Sequence, residues 1–593
     1  INVVIGNPPY SAGQKSANDL NANQKYPSLD KRIADTYAAK STAQLKNSLY
    51  DSYLRAFRWA TDRIGDQGIV AFVSNGGWID GNTGDGVRLS MAEDFTDLYI
   101  FNLRGNQRTA GEQSRKEGGK VFGSGSRSTV AITIGIKDPT KPGFQLHYRD
   151  VGDYLTTEEK LGIVDSSSID MIEWQSIEPN KEGDWLNQRS EEFETWPING
   201  EKKGDSTRIF AIFSGGLKTN RDAWAYQFSK KQLAHQVAAS MAIFNKASDE
   251  NSFDQKKIKW SSKFDALKRR GVQMDFGRGS FRLAQYRPYS KSYLYYSSEY
   301  NDRQGQMPSV FPSSEHQNIG FYLPAASSAS REFNAIASIL IPDLSLSGSG
   351  SGQFFPRFTW TPAESEDGGL FGEGNVVKQG EASVYGQVGE VVDGYVRVDN
   401  ITDEIKQIYR DALHDPAYRA QYAADLKKML PHIETPSSRA EFDKFAAAGK
   451  ELMALHVDYE SVEPWPLDIQ VKGDESDRET WRVHKMKWAK RKDPETGKNV
   501  NDVTKLIYNK QVTISGIPAE ADQYMLGSRS AVAWLIDRYQ VKKDKASGIV
   551  NDPNDWADEV GNPRYIVDLI GKVTRVAMET VRIVDELDSG EEA

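Results

Sequence analysis

Apolar positions along this chain change their spacing in a regular way. The sequence opens on a nearly unbroken apolar run, Ile1 to Gly6, which reads as a buried strand. Residues 11–47 are polar and rich in Asn, Ser and Lys, which predicts a long loop with a short helix. From Ser48 to Ile64 the spacing becomes helical, with Leu49, Tyr53, Phe57, Ala60 and Ile64 on one face. Gly68 to Ser74 is a second buried strand, followed by a Gly-rich loop (Gly76 to Gly86) and a short helix near Leu89 to Phe95. Leu98 to Leu103 reads as a third strand and Arg104 to Gly119 as a charged loop. Val121-Phe122 and Ser128 to Ile136 flank a Gly-Ser turn and read as a strand or hairpin. Strands alternating with helices predict an α/β sheet.

The remainder has a different texture. Residues 137–250 mix strands with long connections and end in a helix over Lys231–Phe244. Residues 251–400 look β-rich, with loops at Ser345–Gly352 and Glu364–Gly374. Ile401–Leu413, Ala417–Leu430 and Arg439–His456 read as helices separated by Pro416, Pro431 and Pro436. After β and turn character over 467–515, closing helices are expected over Ser528–Tyr539 and Arg564–Asp585.

At 593 residues the chain is long enough for two to four domains, and 38% apolar content suffices for their cores. No run approaches a membrane span and no signal peptide opens the sequence, so a cytoplasmic location is expected. The first residue is Ile, inside a strand, so the chain is expected to be a piece of something larger. There is no Cys, which excludes thiolate metal sites and a Cys nucleophile, and with it cytosine-C5 methylation. The seven His residues show no metal-helix spacing, so no metal site is expected. A phosphate-binding G-x-x-x-x-G-K-[ST] loop is also absent from the sequence.

Asn7-Pro8-Pro9-Tyr10 carries the strongest chemical signal, because it stands directly behind the first strand. A Pro-rich turn would explain the prolines alone. An amide, two prolines and a ring at a strand end also suit methylation of an exocyclic amino group. The lone pair of such a nitrogen is delocalised into the base. An Asn side-chain oxygen and a backbone carbonyl accept its two hydrogens and draw it toward tetrahedral geometry. Proline fixes φ and keeps that carbonyl outward, while Tyr stacks on the base. Acceptors aimed in this way are worth roughly 3 kcal/mol each in a transition state. The motif points to the reaction more firmly than to the substrate, since glutamine amides and other amino groups are methylated through the same tetrapeptide.

Net charge is −9, yet charge is uneven along the chain. Asp254 to Arg303 holds 12 Lys/Arg against 5 Asp/Glu. Tyrosines interleave with its cations, and Arg282, Arg287, Tyr289, Lys291 and Arg303 are candidate nucleic-acid contacts. Core strand residues are an equal reading of those tyrosines. Arg478 to Lys510 holds 10 against 4, and reads as a solvated surface around a turn.

The motif and several segments behind it resemble the C-terminal half of type ISP restriction–modification enzymes. These are single-chain bacterial proteins with nuclease, helicase-like ATPase, adenine-N6 methyltransferase and target-recognition parts. The resemblance runs through Ile5 to Ser11, Tyr148-Arg149-Asp150-Val151-Gly152-Asp153-Tyr154-Leu155 and Tyr286-Arg287-Pro288-Tyr289. It continues at Pro342-Asp343-Leu344, Ala454-Leu455-His456 and from Gly527 to Pro553.

The resemblance implies a Rossmann-like α/β methyltransferase portion (1–270, with a connecting segment), then a mixed α+β target-recognition domain (271–593). Asn7 and Pro8 would accept the adenine amino hydrogens, Pro9 would hold the loop and Tyr10 would stack on the flipped base. Phe122 matches the second aromatic on the opposite face, although a core role is the commoner one for a lone Phe. The implied partner is double-stranded DNA and the implied cofactor S-adenosylmethionine, whose Gly-rich loop and acidic ribose ligand are expected upstream of residue 1. ATP and magnesium would enter only through nuclease and ATPase parts outside this segment. Rival readings are a DNA-recognition module with an inactive methyltransferase remnant, and an amino-group methyltransferase acting on RNA or protein.

Overall fold

The opening apolar run is strand β1 (Val3–Gly6), and it pairs in parallel with β2 (Gly68–Asn75). The close approach depends on Gly68, where a Cβ would stand 2.5 Å from the carbonyl oxygen of Asn2. The computed structural model describes residues 2–9, 25–43, 46–107, 109, 111–122, 127–200, 207–249, 252, 254, 256–325, 333–348, 350–363, 388–401, 422, 425–426, 429–433, 438–494, 497 and 499–588. The chain divides into two compact units. The first comprises 1–193 with 326–331 and 422–429, and the second comprises the rest. Residues 194–270, which the sequence groups with the methyltransferase portion, thus fold with the second unit.

The first unit is built on one six-stranded sheet. Its further strands are β3 (Asp97–Arg104), β4 (Val130–Lys137), β5 (Gln145–Asp150) and β6 (Gln175–Ile177), in the order β1-β2-β4-β3-β5-β6. β1, β2, β3 and β5 run in one direction, whereas β4 and β6 run against them. The sheet is therefore mixed. Alternation in β2 buries every second residue, including Val70 and Phe72.

Its helices are α1 (Pro27–Ile33), α2 (Ser52–Arg63), α3 (Asp85–Asp94), α4 (Gly111–Glu117) and α5 (Thr157–Asp165). α2 lays Tyr53, Leu54, Phe57 and Ala60 on the sheet, with the Phe57 and Phe72 rings 5.0 Å apart edge to face. The expected single helix from Ser48 is split, because Asp51 is extended (ψ 146) between a 3-10 turn at Asn47–Tyr50 and α2. α5 begins with a full capping box, Thr156 with Glu159.

The second unit carries β7 (Tyr226–Gln227), β8 (Ser280–Arg287), β9 (Ser290–Tyr296), β10 (Gly320–Pro324), β11 (Ile336–Ser338), β12 (Ile341–Pro342), β13 (Gly352–Pro356), β14 (Phe358–Pro362), β15 (Val391–Val392), β16 (Tyr395–Asp399), β17 (Asp468–Val471), β18 (Lys487–Lys492), β19 (Asn499–Ile507) and β20 (Val512–Ser515). They form small sheets of order β12-β8-β9-β7, β11-β10-β13, β14-β16-β15 and β17-β20-β19-β18. Helices Lys230–Lys246, Arg439–Val457, Ala531–Arg538 and Tyr565–Asp588 fall where the 3.6-residue spacing predicts them. The last buries Ile566, Leu569, Ile570, Val573, Val576 and Ala577 along one stripe. The helices expected over Ile401–Leu413 and Ala417–Leu430, the Gly123–Ser126 turn and the Glu364–Gly374 loop lie wholly or mostly outside the described residues. No helix among the described residues is long and apolar enough to cross a membrane.

Candidate functional site

The parallel strands β1, β2, β3 and β5 all deliver their carboxyl ends to one edge of the first unit's sheet. In open α/β sheets that edge is where ligands bind. Asn7, Pro8 and Pro9 follow β1 there; Asn7 and Pro9 are exposed and Pro8 is buried. Tyr10 lies outside the described residues. Among the described residues the Asn7 side chain meets no hydrogen-bond partner, which leaves its amide available to a ligand.

Asn75 closes β2, and its Oδ1 accepts from the Gly77 N–H at 2.8 Å. The following loop is pinned from inside by Arg88, which is 1% exposed. Its guanidinium donates to the carbonyls of Trp78 (2.7 Å), Gly81 (2.9 Å) and Gly183 (2.5 Å), with Asp184 at 3.5 Å.

Arg104 ends β3 in the left-handed region (φ 55). A hydrogen bond to the Asn102 side chain at 3.0 Å holds its backbone N–H. Its Nε donates to Asp150 Oδ1 at 2.7 Å, and its Nη1 pairs with Asp153. Partial burial works against its charge, but the two carboxylates outweigh that and hold the guanidinium above its usual pKa. Asn102 Nδ2 donates to Tyr148 Oη at 3.0 Å, and that hydroxyl donates to Asp150 Oδ2 at 3.3 Å. Burial pushes the Tyr148 phenol above its ordinary range. Arg104, Tyr148 and Asp150 line a cavity of about 510 Å³ together with Gln175, Trp185 and Asn187. The Tyr148–Leu155 segment thus clamps the arginine at the end of β3. Nothing in its composition announces this, because Arg104 and Asp150 meet only across the parallel β3–β5 pairing.

Phe122 is half-buried and packs against the cluster formed by Phe101, Leu103, Val121 and Val130. Val130 pairs with both Asn75 and Arg104, so this cluster stands at the carboxyl edge that also carries Asn7. The fold brings Asn7, Pro8, Pro9 and Phe122 to one end of one sheet.

The five basic and aromatic candidates of the second unit are placed differently. Tyr289 is fully buried, at the β8–β9 turn, and its hydroxyl donates to Tyr524 Oη at 3.2 Å. Arg287 is inside, bonded to Asp343 at 2.8 Å. Arg282 is 9% exposed and gives its Nη2 to the carbonyls of Phe311 and Ser313. Lys291 is tied to Glu460 at 2.9 Å. Only Arg303 presents an exposed side chain. The interleaving of rings and cations here is therefore the pattern of a core hairpin whose cations, Arg303 apart, are held by carboxylates or backbone carbonyls. Four of the five are taken up by internal partners.

Comparison with known proteins agrees with this architecture. The family model described as "Type ISP C-terminal specificity domain" matches residues 208–569. No curated protein matches the chain. Among solved structures, a nuclease-deletion mutant of the Type ISP restriction-modification enzyme LlaGI in complex with a DNA substrate mimic is 36% identical, with a TM-score of 0.82, over 99% of this chain and 44% of that one. The ATP-dependent Type ISP restriction-modification enzyme LlaBIII bound to DNA is 33% identical, with a TM-score of 0.83, over 99% of this chain and 37% of that one. DrdV in a DNA complex is 31% identical, with a TM-score of 0.80, over 99% of this chain and 57% of that one. The chain spans less than two thirds of each. The match over the second unit and the likeness along nearly the whole length show that this chain belongs to the Type ISP restriction–modification family, as the region that ends in its C-terminal specificity domain.

Proposed function

We propose that the first unit holds the acceptor base of a DNA adenine-N6 methyltransferase and that the second unit reads the target sequence, within a bacterial restriction–modification enzyme. The observation that carries this reading is the exposed Asn7 amide at the carboxyl end of a parallel strand, followed by a buried and an exposed proline. LlaGI, LlaBIII and DrdV, the similar structures, were each solved with DNA or a DNA mimic.

Adenine inside a duplex has its amino group engaged in pairing, so the base must swing out to be modified. In the site, Asn7 Oδ1 and the Pro8 carbonyl accept the two amino hydrogens. This localises the lone pair on nitrogen and readies it for transfer without a covalent enzyme intermediate. Tyr10 and Phe122 stack on opposite faces of the base. The second unit supplies sequence discrimination, in the major groove where adenine shows a distinctive donor and acceptor pattern.

The reaction requires S-adenosylmethionine as methyl donor. The described residues form the acceptor side and do not by themselves fit the donor. Among them β1 has one strand neighbour, and its Val3 and Ile5 side chains are 50% and 77% exposed. Parallel strands are ordinarily covered on both sides. The open edge suits a further strand and the uncovered face bearing Val3 and Ile5 suits a covering helix, elements that could carry the donor's loop, and any ATP- and magnesium-dependent steps belong to parts beyond this segment.

The test is methyl transfer to duplex DNA by the intact protein. Asn7→Ala is expected to lower the rate about 100- to 1,000-fold with duplex binding kept. An undiminished rate rejects the mechanism. Binding without transfer in the unmodified protein favours a recognition module with an inactive remnant. Transfer to RNA or protein but not to duplex DNA reassigns the substrate.

A further inference from the structure

The antiparallel sheet β17-β20-β19-β18 is not four strands wide along its whole length. β20 meets β19 only over Lys505–Ile507, whereas β18 and β19 stay paired out to Lys492 and Asn499. The outer part, Ala489–Lys492 against Asn499–Asp502, is therefore a two-stranded ribbon without a third strand among the described residues. A register shift between Trp488 and Ala489 marks its root. Such a shift bends the strand and re-aims the segment beyond it.

This ribbon and the residues leading into it carry unusual charge for an acidic chain. Lys485, Lys487, Lys490, Arg491 and Lys492 fall within eight residues with no carboxylate between them, and all five are exposed. Among the described residues none of the five forms an ion pair, in contrast to Arg287 and Lys291. Lysine on an edge strand discourages pairing with another sheet, which accounts for one or two such residues but not for the four cations of Lys487–Lys492. Cross-strand register adds a second feature. Lys490 stands opposite Asn501 and Lys492 opposite Asn499, so two cations and two exposed amides share one face. Lys490 Nζ donates to Asn501 Oδ1 at 2.7 Å, which fixes that face. Arg491, opposite Val500, points to the other side.

The major groove of B-DNA admits a two-stranded ribbon, its rims are phosphates, and Asn is the side chain suited to adenine's edge. We propose that the β18–β19 ribbon is a DNA-reading arm: Lys490, Arg491 and Lys492 bind phosphates along the groove, and Asn499 and Asn501 face the base edges. The inference rests on the DNA-recognition reading above and names the element that performs it.

The experiment uses the intact protein and a fluorescent duplex of mixed sequence, titrated over a range of salt. The triple substitution Lys490→Gln, Arg491→Gln, Lys492→Gln is expected to flatten the slope of log affinity against log salt by about 2 to 3, near 0.9 for each phosphate that is no longer neutralised. An unchanged slope overturns the arm, including the case where the variant instead fails to bind an acidic protein. If the unmodified protein fails to bind duplex even at low salt, the DNA-recognition reading itself fails, which is a different result from a variant matching its parent. A second measurement is independent of the variant's stability. The 593 residues hold no Cys, so Asn501→Cys introduces the one thiol of this segment, expected to cross-link to duplex bearing a disulfide-activated base when the unmodified protein does not. Absence of an adduct, with duplex binding intact, overturns the base-edge role.

Discussion

A side chain on Gly68 would put its Cβ 2.5 Å from the carbonyl oxygen of Asn2, the same oxygen that accepts the Ile69 N–H at 2.7 Å. The first parallel pairing of the sheet, and with it the position of Asn7, depends on the absence of a single methyl group. Gly68→Ala is expected to cost about 1–3 kcal/mol by overpacking. Methyl transfer should fall with it, while duplex binding by the second unit persists. A variant with parental thermal midpoint and rate would show that β1 can yield without moving its loop.

Arg88 binds three carbonyls around the loop after β2. Arg88→Met removes the donors and leaves Asp184 and those carbonyls without the cation. A loss of about 3–5 kcal/mol is expected, read as a lower urea midpoint. A loss below about 1 kcal/mol would mean that water replaces the guanidinium at little cost.

Asp343 is a pH-sensitive point of the second unit. Burial raises its carboxyl from 3.8 to about 6, against the opposing pull of Arg287 and the bonds from Ser345 and Tyr226. The folded chain holds this proton more tightly than the unfolded chain. Its contribution to stability is therefore greatest below about pH 4 and is lost as pH rises through about 6. Asp343→Asn should remove that component. Denaturant midpoints followed from about pH 4 to about pH 7 should then show the unmodified protein losing ground to the variant as pH rises, whatever their absolute difference. Parallel profiles would place the titration elsewhere.

Phe122 packs at the carboxyl edge but is only half-buried, so loss of fold and loss of stacking can be separated. Base–aromatic stacking is worth roughly 1–3 kcal/mol, so Phe122→Ala is expected to slow methyl transfer about 10- to 100-fold. Phe122→Tyr should keep the ring and most of the rate. If both variants transfer at the parental rate, Phe122 serves only the core.

Local signals were enough for the longer elements, but not for the short helices Gly111–Glu117, inside an expected charged loop, and Ser262–Arg269, inside an expected β-rich region. Periodicity located the helices ending near Arg63, Lys246, Val457, Arg538 and Asp588 to within a few residues, because each buries one stripe on a core. It failed at Asp51, where one extended residue interrupts an otherwise helical pattern. The two charge runs show a deeper limit. Composition made Asp254–Arg303 the stronger nucleic-acid candidate, with aromatics set among cations. In the fold its tyrosines pack in or against the core, and Arg282 and Arg287 among its arginines are bonded inside, while the plainer run at Lys485–Lys492 is exposed and leads onto an open ribbon.

By itself, the sequence determined the strand, the amide and the prolines at Asn7-Pro8-Pro9, the absence of any thiol, and the kinship carried by its late segments. These are properties of identity and local order, readable without knowing what lies across the sheet. Only the tertiary structure decided which charges are free. Whether Arg287 meets a phosphate or Asp343, and whether Arg104 meets a ligand or Asp150, depends on partners 56 and 46 residues away, brought within 3 Å by strand pairing. A buried cation needs a counter-charge or a set of carbonyl acceptors and an exposed one does not, and burial is set by the packing of whole elements rather than by neighbours in the chain.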